Sequence, residues 1–103
     1  MSVLFEFSMF PTDKGESASP YVSRIIKLIR ESGVDYKLTP MGTIIETETM
    51  IEALELIQKA YEQLQPDCKR IYCAVKFDIR KSQKGRMDQK IRSIENKIGE
   101  VRQ

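Results

Sequence analysis

The sequence predicts an α+β fold in which helices pack on an antiparallel β-sheet, and three observations support this prediction. Several segments alternate apolar and polar residues with the two-residue period of a strand. Other segments carry apolar residues at steps of four and three, the spacing of an amphipathic helix. The segments follow one another in the order strand, helix, strand, strand, helix, strand and helix. A chain of 103 residues has the length of one domain, and we expect a single domain over residues 1–103.

The first strand and the first helix are separated by a loop at residues 10–18, which are rich in turn formers. Apolar side chains occupy every second position of the strand: Val3, Phe5, Phe7 and Met9. The helix is predicted to begin at Ser19 as its N-cap, with Pro20 at the first helical position. Its apolar face consists of Val22, Ile25, Ile26 and Ile29. Gly33 is expected to end the helix because glycine readily adopts the left-handed conformation of a C-cap.

A hairpin and a second helix follow. Alternation around residues 34–38 predicts the second strand, and a turn rich in proline and glycine leads into the third strand at about residues 43–47. Thr49 and Glu52 have the spacing of a capping box, in which the threonine caps the second helix. The apolar face of this helix contains Met50, Leu54, Ile57, Tyr61 and Leu64. Pro66 is expected to end the pattern.

The strongest strand signal covers residues 71–80. One side of this strand is apolar: Ile71, Cys73, Val75, Phe77 and Ile79. A third helix is predicted from the repeated apolar positions Met87, Ile91, Ile94, Ile98 and Val101. Two βα units joined by a hairpin form the pattern of a ferredoxin-like βαββαβ sandwich, here with an additional C-terminal helix. The third helix is expected to pack within its own chain, although its apolar stripe would also suit docking between subunits.

One face of the predicted sheet carries unusual charges. We expect the apolar faces of the first and fourth strands to pack beneath the first two helices, which leaves a polar face with Glu6, Ser8, Lys76, Asp78 and Glu46. Carboxylates such as Glu46 and Asp78 are costly within a strand unless they are paired or bound. Either Lys76 and Arg80 pair with them on a hydrated face, or the carboxylates accept hydrogen bonds from a ligand that carries amino groups.

Composition excludes several kinds of chemistry. Without histidine, neither a Ser-His nor a Cys-His nucleophile pair can form, and no metal site is expected. No phosphate-binding loop or dinucleotide fingerprint occurs, so we expect neither a cofactor nor enzyme activity. Cys73 is expected in the core, and Cys68 in a turn. The net charge of +2 does not indicate a nucleic-acid partner, and without a membrane span or leader pattern we expect a cytoplasmic protein.

Several segments resemble one family over residues 3–100. They are Ser19-x-Tyr21-Val22, the hairpin Tyr36-Lys37-Leu38-Thr39-Pro40-Met41-Gly42-Thr43-Ile44-Ile45-Glu46, Arg70-Ile71-Tyr72, and Lys76-Phe77-Asp78-Ile79-Arg80. Together they are similar to the small thiamine-binding proteins, which are single-domain relatives of the two-domain hydroxymethylpyrimidine-binding proteins. The resemblance implies a ferredoxin-like fold, binding of thiamine or its hydroxymethylpyrimidine moiety without catalysis, and a homo-oligomer built as a dimer of dimers.

A site for such a ligand is expected where the first loop, the turn at residues 41–43 and the end of the fourth strand converge, either within one subunit or at a boundary between subunits. Carboxylates would accept hydrogen bonds from the amine, hydroxyls would adapt to the ring, and an aromatic or thioether side chain would form a wall. The candidate residues are Ser19, Tyr21, Met41, Thr43, Glu46 and Asp78. Two alternatives stay open: an ACT-like regulatory or structural oligomerisation module, and a weak nucleic-acid binder that uses the basic loop Arg80–Arg86.

Overall fold

A computed structural model describes residues 1–81 and 85–103, and its elements follow the predicted order. They are β1 (Ser2–Pro11), α1 (Ser19–Ser32), β2 (Asp35–Thr39), β3 (Gly42–Thr47), α2 (Met50–Leu64), β4 (Ile71–Arg80) and α3 (Arg86–Ile98). The strands form one antiparallel sheet in the order β2-β3-β1-β4. Because α1 and α2 cover one face of this sheet, the fold is ferredoxin-like, as predicted.

The core lies between the sheet and the first two helices. The alternating apolar positions of β1 are all buried, together with Ile45 of β3. The helices contribute Ile25, Ile29, Ala53, Leu56, Ala60 and Leu64. We call this side of the sheet, which contains Phe5 and Ile45, the helix face. The opposite side, which contains Leu4 and Glu46, is the open face.

The helix ends confirm two predictions and correct one. Gly33 ends α1 in the left-handed conformation, and the Thr49 hydroxyl accepts the Glu52 N–H at the start of α2. The N-cap of α1, however, is Ala18, whose side chain makes no cap, and Ser19 is already helical. The proline signal could not distinguish these positions, because Pro20 is compatible with either of the first helical positions.

The first strand is longer than predicted. Residues 10 and 11 belong to β1 rather than to the loop, because β4 supplies partners along its whole length and Pro11 pairs with Ile71. Immediately beyond, the Thr12 N–H donates to the Arg70 carbonyl at 2.9 Å. The two long strands β1 and β4 therefore form the longest pair of the sheet.

The prediction that the apolar face of β4 packs beneath the helices is only partly right. Ile71 and Val75 contact the core, whereas Phe77 and Ile79 are 36% and 46% exposed. Cys73 is exposed, so its prediction as a core residue is wrong. The physical reason is position: β4 is the edge strand, and α1 and α2 lie over β1 and β3. Alternation identifies which side chains share a face, but not whether a helix reaches that face.

The third helix packs on the open face, where it contacts β1 and β3. It ends at Ile98, before Gly99, so Val101 lies outside the helix that was predicted to include it. Ile98 stays 73% exposed at its end. Residues 82–84 of the predicted basic loop lie outside the described residues. Among the described helices, none combines the length and the apolar character that crossing a membrane requires.

Candidate functional site

A groove opens on the helix face between α1, β1 and the β2–β3 hairpin. We call it the hairpin groove; its volume is about 310 Å³, at the lower end of the range for small-molecule sites. Its apolar lining consists of Phe7, Met9, Phe10, Val22, Ile25, Ile26, Leu38, Pro40 and Met41. Thr43 lies on the helix face beside Phe7, and Ser8, Thr39 and Gly42 complete the lining. A mostly apolar cleft with a few polar groups is typical of a ligand site.

The hairpin turn has a defined geometry. The Thr39 hydroxyl donates to the Gly42 carbonyl at 2.7 Å and accepts the Met41 N–H at 3.2 Å. Gly42 has a φ of 155°, and a Cβ at this position would lie 3.2 Å from the Phe7 carbonyl oxygen. Glycine therefore lets the turn approach β1 closely. The same turn leaves Met41 86% exposed at the rim of the groove.

Thr43 is the distinctive polar residue of the hairpin groove. It is only 3% exposed and lies between Phe7 of β1 and Leu38 of β2. No hydrogen bond joins its hydroxyl to another described residue. Among the described residues no fully buried side-chain polar atom lacks a partner, so this hydroxyl keeps access to the groove. A hydroxyl of this kind is free to donate to, or accept from, a bound molecule.

The structure places the other two helix-side candidates differently. Ser19 lines an adjoining groove, which shares Val22, Ile26 and Leu38 with the hairpin groove. Tyr21 packs against the core and carries the Arg24 guanidinium 4.8 Å from its ring centre, so it does not line the hairpin groove. Met41 and Thr43 are therefore together, Ser19 is beside them, and Tyr21 is engaged elsewhere.

Glu46 and Asp78 lie on the open face, on the other side of the sheet from Thr43. Both pair with Leu4, one from β3 and the other from β4. The end of β4 thus lies at the beginning of β1, whereas the hairpin turn lies beside Phe7. The expected convergence of the first loop, the turn and the end of β4 does not occur within one chain, because antiparallel pairing separates the last two along β1.

Arg86, which was not among the candidate site residues, contacts both carboxylates: its guanidinium pairs with Asp78 and its backbone N–H donates to Glu46. Arg86, 6% exposed, places its Nη1 2.9 Å from the Asp78 carboxylate and its Nε 3.0 Å from the Ser2 hydroxyl. It also donates to the backbone carbonyls of Ser2 and Asp78. The Ser2 hydroxyl in turn donates to Glu46 at 2.6 Å. We call Ser2, Glu46, Asp78 and Arg86 the Arg86 cluster.

Glu46 also caps α3, since its carboxylate accepts the N–H groups of Arg86 at 3.2 Å and Met87 at 3.3 Å. Burial on its own would raise the pKa of the Glu46 carboxyl. The hydrogen bonds from Ser2, Arg86 and Met87 outweigh burial, and they hold this pKa below its ordinary value. The open-face carboxylate therefore stabilises the docked helix as an anion.

The lysine pairing proposed from the sequence differs from the one observed. Lys76 places its Nζ 3.2 Å from the Glu6 carboxylate, and Arg86 takes the position beside Asp78. One sequence signal was present: Arg86 directly precedes Met87, the first apolar residue of the third helix, so its backbone N–H lies at a helix N-terminus that attracts carboxylates. Its contact with Ser2 spans 84 positions and could not be inferred from spacing.

Comparison with known proteins identifies the family. The family model described as thiamine-binding protein matches residues 5–95. The chain belongs to the thiamine-binding protein family. A UPF0045 protein of Mycobacterium bovis is 33% identical over 95 residues, which cover 92% of this chain and 93% of the relative. A UPF0045 protein of Methanothermobacter thermautotrophicus is 31% identical over 83 residues, 80% of this chain and 84% of the relative.

Solved structures of similar proteins have the same fold as this family member. A hypothetical protein of Methanocaldococcus jannaschii superposes with a TM-score of 0.80 at 28% identity, covering 90% of this chain and 95% of that one. A Thermotoga maritima protein, whose name refers to thiamine biosynthesis or salvage, superposes with a TM-score of 0.79 at 17% identity. That alignment covers 91% of this chain and 99% of the other. The match to the Thermotoga protein shows the shared fold.

Proposed function

We propose that this protein binds thiamine or its hydroxymethylpyrimidine moiety in the hairpin groove, without catalysing a reaction. Membership of the thiamine-binding protein family supports this class of ligand. The observation that carries the choice of site is Thr43, a nearly buried residue whose hydroxyl has no partner among the described residues and borders an apolar groove. The polar groups of the Arg86 cluster, by contrast, already bind one another.

The chemistry of an aminopyrimidine suits this lining. The ring is flat and aromatic, and it carries ring nitrogens that accept hydrogen bonds and an exocyclic amine that donates them. Apolar walls and the thioether of Met41 can contact the ring faces, and the Thr43 hydroxyl can pair with either polar group of the ring. None of the described residues that line the hairpin groove is a lysine or an arginine that would repel a cationic thiazolium.

Binding rather than catalysis is supported by the kinds of polar group present. The polar residues of the lining are one serine and two threonines, Ser8, Thr39 and Thr43, and the Thr39 hydroxyl is already committed to the turn. Hydroxyls orient a ligand, whereas general acid–base catalysis uses side chains that titrate near the working pH.

We also propose that the protein works as a homo-oligomer, assembled as a dimer of dimers. Two exposed apolar features support this proposal: the outer part of β4, with Phe77 and Ile79, and the end of α3, with Ile94 and Ile98. Light scattering at micromolar concentration tests it. A mass several times 11.9 kDa is expected, and the mass of a single chain would contradict the proposal.

Calorimetric titration tests the ligand. Thiamine and free hydroxymethylpyrimidine are each expected to bind the wild-type protein and to compete with one another. The free thiazole alcohol serves as the matched control, and it is not expected to displace them because it lacks the aminopyrimidine. Absence of binding by both pyrimidine compounds at millimolar concentration would refute the proposed function.

A further inference from the structure

The outer edge of the sheet is a long, regular strand whose protection consists of charges on its open face, at Lys76, Asp78 and Arg80. β4 pairs one-to-one with β1 at all ten of its positions, so it contains neither a bulge nor a break. Its sequence has no proline, and it forms the edge of the sheet. Native proteins commonly shorten, bend or cover such edges because their unpaired backbone groups bind other strands. The opposite edge, β2, is only five residues long.

The hydrogen bond from Thr12 to Arg70 shows which backbone groups of β4 face outward. Thr12 and Arg70 extend the β1–β4 register by one position, and the bond shows that this pair is a hydrogen-bonded one. Every second pair along the strands is therefore hydrogen-bonded too, so the even-numbered residues of β4 direct their backbone groups toward β1. Hydrogen-bonding direction alternates along an antiparallel strand. The N–H and C=O groups of the odd-numbered residues therefore point away from the sheet. These residues are Ile71, Cys73, Val75, Phe77 and Ile79.

Exposed apolar side chains accompany these outward backbone groups. Phe77 and Ile79 are 36% and 46% exposed on the helix face, at the end of β4 that α1 and α2 do not cover. Phe77 touches the core on one side only, where its ring centre lies 5.2 Å from that of Phe5. A partner that adds a strand here would bury apolar surface and satisfy backbone groups at the same time.

We propose that β4 pairs antiparallel with β4 of a second copy of this chain, centred on Phe77, to form a continuous eight-stranded sheet. Charge and the length of overlap together determine the register. Centring on Phe77 places Lys76 opposite Asp78 of the second copy, twice by symmetry. Centring on Lys76 or on Asp78 would place like charges opposite each other, and centring on Val75 would place Lys76 opposite Ala74. Centring on Ile79 would place Asp78 opposite Arg80, but β4 ends at Arg80, so only three residues of each strand would pair. The inference deepens the proposed oligomer and is independent of the ligand.

The register is tested by disulfide trapping in the full chain with Cys68→Ser and Cys73→Ser. Centring on Phe77 brings the two Phe77 Cα atoms to about 5.5 Å, within the range of a disulfide. Phe77→Cys is therefore expected to give a covalent dimer on oxidation. Val75→Cys is the matched control, because the two Val75 positions would lie about 14 Å apart along the strands. A dimer from Val75→Cys but not from Phe77→Cys would overturn the register.

A second pair of variants tests the edge without relying on Phe77. Ile79→Pro removes an outward N–H but no bond to β1, whereas Ile79→Ala keeps the N–H and loses a similar amount of side chain. Light scattering is expected to show about half the mass, or a dissociation constant raised at least tenfold, for the proline variant alone. Equal assembly of both variants would overturn the proposal. Thiamine titration of the same samples separates this outcome from failure of the proposed function, because β1 lies between β4 and the β2–β3 hairpin and no residue of β4 lines the hairpin groove.

Discussion

The hairpin groove and the Arg86 cluster occupy opposite faces of one sheet and differ in how their polar atoms are satisfied. In the Arg86 cluster, Glu46 accepts three hydrogen bonds and Arg86 reaches both Asp78 and Ser2. In the hairpin groove, the Thr43 hydroxyl bonds to no other described residue. A charge within a strand therefore does not by itself indicate a ligand. A nearly buried polar group that lacks a partner is the better indication.

The largest expected effect is the loss of Arg86. Arg86→Ala removes the cation that joins α3 to β1 and β4, and it leaves the Asp78 carboxylate and the Ser2 carbonyl without that partner. Losing the hydrogen bonds of this buried guanidinium is expected to lower the free energy of unfolding by about 2–3 kcal/mol, measured by urea denaturation. The folded fraction is expected to bind thiamine as the wild type does, since Arg86 does not line the hairpin groove.

Arg92→Ala is the matched control, because Arg92 is an exposed arginine of the same helix. It is expected to change stability by less than about 0.5 kcal/mol. Similar losses for the two variants would contradict the view that the Arg86 cluster anchors α3. Weakened thiamine binding by Arg86→Ala alone would instead place the ligand on the open face.

Thr43→Val tests the hairpin groove, and here we expect a loss of affinity without a loss of stability. Valine has nearly the shape of threonine but no hydroxyl, and the wild-type hydroxyl makes no bond to a described residue. Thiamine affinity is expected to fall about five- to tenfold, the value of one hydrogen bond. The melting temperature is expected to stay unchanged or to rise slightly. Calorimetry and thermal unfolding measure the two effects, and Thr43→Ser, which keeps the hydroxyl, should retain most of the affinity.

Much of the fold could be predicted because its signals are local. Alternation along β1 identified the buried positions, Gly33 ended α1, and the spacing of Thr49 and Glu52 located the start of α2. The exposure of Cys73 could not be predicted in this way, since it depends on β4 being the edge strand. Strand order is a property of the whole sheet, and it cannot be predicted from the alternation within one strand.

The candidate site was predictable in part for the same reason. Met41 and Thr43 are near in sequence, and the structure keeps them together in the hairpin groove. Glu46 and Asp78 are 32 positions apart and do come together, on either side of Leu4, but on the open face and around Arg86. The sequence indicated that strand carboxylates need partners. Only the packing of α3 shows which partner they have.

A smaller effect is expected at Glu46, and it depends on pH. Hydrogen bonds hold the pKa of this carboxyl below its ordinary value, so its contribution is present above the pKa of the unfolded chain. That contribution is lost as the pH falls through the folded-state pKa. Glu46→Gln is expected to cost about 1 kcal/mol at neutral pH, as loss of a helix cap does, and progressively less in acid. Urea denaturation from pH 7 to pH 3 measures the difference, and a constant difference would contradict the assignment.

The smallest expected effect concerns Met41, at the rim of the hairpin groove. Its side chain is 86% exposed, so Met41→Ala removes almost no packing from the folded chain and should leave the melting temperature unchanged. If the thioether contacts the bound ring, thiamine affinity should fall by about two- to fivefold, which corresponds to 0.5–1 kcal/mol. Ile51→Ala is the control, since Ile51 is a 68% exposed apolar residue of α2 outside the hairpin groove. Equal affinities for the two variants would show that the ligand contacts Thr43 but not Met41 at the turn.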